Sequence, residues 1–239
     1  MRRFEASAID GPGNPWENET VVLAADAIDR SVHPEGKPEK GEPLDPLDFY
    51  GWTVATSRIN GTSQVYYAWA HRFWKCSAGC NNNWDSVLLS SRDGEHFTYV
   101  GGSREPWLRP GRNGGRGSRM IHVMPGPIEV GNELWIYVAM TNQNHAGQVD
   151  PQSSTGGKQT AVGLIRMRRD GLASLDAPLF GAAAPANLTT VPVLLPPPPT
   201  AAAGTADRGQ PPSFLVNAVC SGGGVLRASL LDAGESELS

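Results

Sequence analysis

The chain has 239 residues, a formal net charge of −4 and a pI near 5.7. That balance argues against a general nucleic-acid binder, which needs a basic face, and no run approaches the roughly 18 apolar residues of a membrane helix. Apolar residues make up 39% of a chain carrying 28 Gly and 20 Pro, the usage expected of many short strands joined by tight turns.

The opening MRRFEASAIDGPGNPW has two arginines and no apolar core behind them, so it does not read as a signal peptide. The default compartment is the cytoplasm, or the exterior if the natural N-terminus is missing. Phe4 to Ala25 holds an Asp10-Gly11-Pro12-Gly13 turn, Trp16 and the run Thr20 to Leu23. It reads as the outer edge of a sheet whose inner strands are missing. Asp29 to Pro46 is charged, carries four prolines and reads as a surface loop.

Asp48 to Ala55 is an expected strand, rich in aromatic and β-branched residues. Asn60-Gly61 is a hairpin signal, and Gln64 to Ala70 is the return strand. A polar insertion, Lys75 to Asn83, contains Cys76 and Cys80. Neither a second Cys pair nor a spaced His pair accompanies them, so no metal is expected; two free thiols or a loop-closing disulfide both remain open. Trp84 to Ser90 and His96 to Val100 form another expected hairpin across Asp93-Gly94. The pattern recurs with Met120 to Met124, Gly126 to Val130, a Gly131-Asn132 turn and Leu134 to Met140. A polar loop, Thr141 to Gln159, leads to a strand at Thr160 to Met167 and a turn at Asp170-Gly171.

Gly61 and Gly131 lie 70 residues apart, Asp93 and Asp170 lie 77 apart, and Asp10 precedes Asp93 by 83. Four-stranded units at such spacing suit propeller blades with long loops, which stack to bury both faces. Two sheets of a sandwich are the alternative. After Asp176 the composition shifts to Ala, Gly and Pro. A strand at Thr189 to Leu195 and a hairpin from Phe214 to Leu231 are the remaining ordered elements expected there. Three sequons, at Asn18, Asn60 and Asn187, matter only in a secreted chain.

Ser91-Arg92-Asp93-Gly94-Glu95-His96-Phe97 resembles the Asp-box turn of sialidase-like propellers. With Arg104-Glu105-Pro106-Trp107, Ser118-Arg119-Met120, Gly126-Pro127, Glu133 to Tyr137 and Arg169 to Asp176, taken in order, the chain resembles the five-bladed propeller proteins related to glycoside hydrolase family 32. Phe214 to Ala218 and Gly224 to Arg227 resemble the start of the β-sandwich that follows the propeller in that group. The resemblance implies an all-β fold: a partial five-bladed β-propeller over residues 1–178, then a linker and an incomplete β-sandwich over 179–239. It also implies that the chain begins after the first blades, where such enzymes carry their nucleophilic Asp. Gly117 stands where relatives usually have an acidic residue before the serine.

Glycoside hydrolysis needs two carboxyl groups facing one sugar. In a propeller, inner strands start at the funnel mouth and their antiparallel partners end there. Asp48 and Glu105 are therefore the catalytic candidates, and Tyr50, His71, Arg119, His122 and His145 the substrate-binding ones. Each has a plainer reading: Asp48 as a strand cap, Glu105 in a loop-fixing ion pair, the histidines simply satisfied or solvated. Asp10, Asp93 and Asp170 are assigned to turns, where Asp bonds its own backbone. Arginines 104, 109, 112, 116 and 119 could grip an acidic sugar or be solvated charge. Trp52, Trp69 and Trp135 are expected to pack, whereas Trp74, Trp84 and Trp107 are candidate sugar platforms. The expected function is carbohydrate hydrolysis at the funnel or, alternatively, non-catalytic binding of carbohydrate or protein by a truncated relative. No cofactor, nucleic-acid or membrane partner is expected, and sequence leaves the oligomeric state open.

Overall fold

Strands form where β-branched and aromatic residues alternate between turn residues, because successive side chains then reach opposite faces of a sheet. A computed structural model describes residues 2–5, 17–31, 47–59, 63–74, 83–174, 186–190, 216, 218, 220, 225–232, 234 and 236. It divides into two compact units, Met1–Ala173 and Ser174–Ser239. Asp10, Trp16, the Asn60-Gly61 turn, Cys76 and Cys80 lie outside the described residues.

The first unit is all-β. Strands β1 (Arg2–Glu5) and β2 (Glu17–Val21) pair antiparallel in a sheet of their own. The other strands build one eight-stranded sheet. Its first part is an antiparallel meander of β3 (Leu47–Ile59), β4 (Ser63–Trp74), β5 (Trp84–Ser91) and β6 (Thr98–Tyr99). A short 3-10 turn, Val100–Gly102, follows β6. The second part contains β7 (Met120–Val123), β8 (Ile128–Val130), β9 (Glu133–Thr141) and β10 (Thr160–Arg168).

β7 and β8 both lie along β9, one at each end. Pro125 and Pro127 sit between them and lack the N–H a continuous strand would need. β5 and β7 run parallel, meeting at Trp84 and Met120, so the whole sheet is mixed. It curls strongly. Thr53 of β3 donates its hydroxyl to the Val123 carbonyl of β7 at 2.9 Å, although β4 and β5 separate these strands in the sheet order.

The curl encloses a core. Trp69 and Leu88 meet Ile121, Val123, Leu134, Ile136 and Val138. Removing each such side chain from water contributes about 1.5–3 kcal/mol. On the opposite face of the first meander, Leu23 packs with Ala68, Ala70, Val87 and Leu89. β5 is thus covered on both faces, which explains its nearly continuous burial.

The turn between β5 and β6 bears out the architectural role assigned to Asp93. The Ser91 hydroxyl donates to Asp93 Oδ1 and accepts from the Gly94 amide at 2.9 Å. Asp93 Oδ1 also accepts from the Glu95 and His96 amides, both at 2.8 Å. Gly94 has φ +78°, and a Cβ there would stand 3.2 Å from the Tyr66 ring.

Three expectations differ from the structure. The segment read as a loop from Asp29 begins inside a helix, α1 (Ala27–Ser31). Asp26 and Asp29 accept each other's backbone N–H, a reciprocal cap that makes so short a helix viable. The run Thr20 to Leu23 is strand only as far as Val21, where β2 pairs with β1 in a two-stranded sheet, and Leu23 packs into the core instead. In the second unit, none of the described residues of the expected Phe214–Leu231 hairpin belongs to a strand, and Leu231 makes only a bridge. Val225 is 78% exposed and Val216 61%; so few residues have no apolar face to bury against. No helix among the described residues is long and apolar enough to cross a membrane.

Candidate functional site

At one end of the curl, rings from four strands and one loop converge. Tyr50 of β3 lies 4.7 Å from Trp84 of β5 and 5.1 Å from His145, centroid to centroid. His145 sits 4.5 Å from Phe73 of β4 and stacks on Trp84 at 5.7 Å. His122 of β7 is 5.8 Å from Trp84 and 5.3 Å from His71. Four of the five expected binding residues, Tyr50, His71, His122 and His145, therefore share one cluster.

Local sequence explains how they get there. The β3–β4 register slips between Phe49 and Gly51, leaving Tyr50 as the extra residue. A bulge of this kind re-aims a side chain, and Tyr50 remains 55% exposed. Trp84, His71 and Phe73 share a face through the pairs Phe73–Trp84 and His71–Ser86. His145 arrives on the loop after β9, which buried polar side chains hold. Asn142 donates to Ser153 and to the Gly157 carbonyl, and accepts from the Gln159 amide. Asn144 accepts from the Gln148 amide at 2.8 Å.

Arg119 stands next to the cluster, its carbonyl accepting the Trp84 amide at 3.2 Å. Its guanidinium is committed to Asp150 at 3.0 Å, with both side chains buried. Asp150 also accepts from the Gly114 and Gln152 amides. Burial opposes its charge, but the nearby Ser118 hydroxyl, hydrogen bonds from the Gly114 and Gln152 amides and the Arg119 charge outweigh it and hold the carboxyl at about 2. Gly114 has φ +82°, and a Cβ there would meet the Gln152 carbonyl at 2.8 Å. Arg119 is thus a positioning residue for the loop that carries His145.

The two acidic candidates are placed differently. Asp48 lies opposite Phe73 in the β3–β4 register; it is half-buried and not free. Glu105 is exposed and ion-paired with Arg109. Arg72 donates to the Arg104 carbonyl at 2.8 Å, and strand alternation sets Arg72 on the face opposite His71. The Arg104 backbone is thus anchored on the side of β4 away from the rings. Arg104 itself binds Asp26 and Asp29 and lies 3.9 Å over the Tyr99 ring. Of the five arginines of this stretch, 104, 109 and 119 are held in ion pairs.

No family model, curated protein or solved structure matches the chain. What the site can do follows from its geometry. His71 is buried, and burial first, then the nearby His122, lowers its pKa to about 4, against a hydrogen bond with the Val123 backbone that raises it. Burial also lowers His122. Both rings are neutral near pH 7 and present one donor and one acceptor nitrogen. His71 Nε2 and Trp84 Nε1 have no hydrogen-bond partner among the described residues. Among those residues, no group of three or more His, Cys, Asp or Glu has metal-binding spacing.

Two carboxylates and one ion pair escaped sequence reasoning. Asp29 and Asp150 are fully buried anchors, and nothing in their flanking residues marks them. The buried Arg72–Asp85 pair, bidentate at 2.7 and 2.9 Å, was legible only once β4 and β5 were in register. Trp74 packs under Arg72 and donates to Asp85, and Trp107 packs against Trp69. Of the three loop-adjacent tryptophans, Trp84 alone joins the ring cluster.

Proposed function

We propose that this protein binds carbohydrate at the ring cluster of Tyr50, Phe73, Trp84 and His145. The observation that carries the reading is the convergence of these four rings at one end of the curl. Aromatic faces suit the apolar C–H faces of a sugar, and polar ring atoms suit its hydroxyls. Binding is favoured over hydrolysis, because Glu105 is exposed and paired with Arg109. A carboxyl pair facing one sugar is what hydrolysis needs. We read the two halves of the curled sheet as successive blades of a five-bladed propeller related to glycoside hydrolase family 32; the four-strand meander of β3 to β6 and the Asp93 turn support this.

The test is a glycan array probed with the full chain, followed by calorimetry on the best ligand. Trp84→Ala and Tyr50→Ala should each weaken binding by roughly five- to tenfold, the worth of one stacking contact of about 1 kcal/mol. Unchanged affinity in both variants would reject the site. Release of reducing sugar that falls in Asp48→Asn and Glu105→Gln would shift the reading to hydrolysis.

A further inference from the structure

A second site lies on the same face of the first meander, at the other end of the strands from the ring cluster. It is a cavity of about 710 Å³ between the two halves of the curled sheet, within the range of roughly 300–1,000 Å³ typical of small-molecule sites. Val65, Tyr67 and Trp69 of β4 and Leu134 of β9 form apolar wall, with Ser57 and Ser90 among the hydroxyls. Tyr67 and Trp69 precede His71 and Phe73 at two-residue steps along the same strand face, so the cavity and the cluster are separate stretches of one interface.

The charged groups at its mouth divide by commitment. Asp93 is engaged in its own turn and with His96. Glu129 pairs with Arg169 at 3.3 Å, and Asp170 is not free. Arg92, which lines the cavity, has no such partner among the described residues. Deeper in the wall, the Trp69 ring is 1% exposed and backs the apolar surface. An apolar wall and one uncommitted guanidinium at its mouth together define a complementary shape and charge.

We infer that this cavity binds a small organic anion with an apolar body, its acidic group at Arg92 and its body against Tyr67 and Trp69. Guanidinium recognises carboxylate or sulfonate by charge-assisted hydrogen bonds. The inference is independent of carbohydrate binding at the ring cluster.

The experiment titrates the full chain with 3-phenylpropionate and with its uncharged counterpart 3-phenylpropanol, by calorimetry and tryptophan fluorescence. The acid should bind on the order of tenfold more tightly, the low end for a charge-assisted hydrogen bond at an exposed arginine. Arg92→Gln, a surface change that leaves the core intact, should abolish that preference. Ser90→Leu, which fills the cavity, should weaken both probes, whereas Trp84→Ala should change neither. Absence of saturable binding at millimolar concentration, or an acid preference that survives Arg92→Gln, would overturn the inference.

Discussion

His71 makes the structure's electrostatics measurable. The ring is buried beside His122, and its pKa falls from 6.5 to about 4. Between those values the unfolded chain takes up a proton that the folded chain refuses, so stability falls as pH falls. The loss begins near pH 6.5 and is complete below about 4. At about 1.4 kcal/mol per pH unit, His71 should withdraw about 1 kcal/mol between pH 7 and 5.5, and about 2.5 kcal/mol by pH 4.5. His122, lowered by burial in the same direction, adds to the trend. The depressed carboxyls act in a lower window. Asp150, held at about 2, loses its contribution only as pH drops below 3.8. Urea unfolding of wild type and His71→Gln at pH 7, 5.5 and 4.5 isolates the effect. The variant should start less stable at pH 7 and show a pH slope shallower by about these amounts. Parallel slopes in the two proteins would refute the reasoning, because they would mean that the buried ring contributes no proton linkage.

Other outcomes follow from the same geometry. Arg119→Ala leaves Asp150 buried without its cation and should cost about 3–5 kcal/mol in chemical unfolding, with Arg119→Lys recovering only part. Gly94→Ala forces a side chain into φ +78° against Tyr66 and should cost about 1–2 kcal/mol, seen as a lower thermal midpoint without loss of strand signal. Ser91→Ala removes the acceptor of the Gly94 amide in the same turn and should cost about 1 kcal/mol. Because both changes touch one turn, the double variant should fall short of additivity.

Much of the fold was legible because strand and turn signals are local. Alternation in Leu134 to Met140 and Thr160 to Met167, the Gly131-Asn132 turn and the Asp93-Gly94 turn all specify structure within a few residues. The C-terminal hairpin was misread for the complementary reason. Its apolar residues satisfy a strand pattern, but strand propensity expresses itself only against a packed neighbour, and Val216, Val225 and Leu230 remain exposed.

The candidate site divides along the same line. Sequence placed Tyr50, His71, His122 and His145 at strand ends that should approach one another, and by itself it determined the strands, the turns and that grouping. Only the tertiary structure decided what each group touches. The bulge that turns Tyr50 toward Trp84, the Asp150 carboxylate that claims Arg119, and the Arg72 guanidinium that holds the Arg104 carbonyl all depend on contacts between residues distant in the chain. Register and curl bring such residues together, and neither has a local signature: a one-residue slip changes every side chain's face while leaving composition and periodicity unchanged.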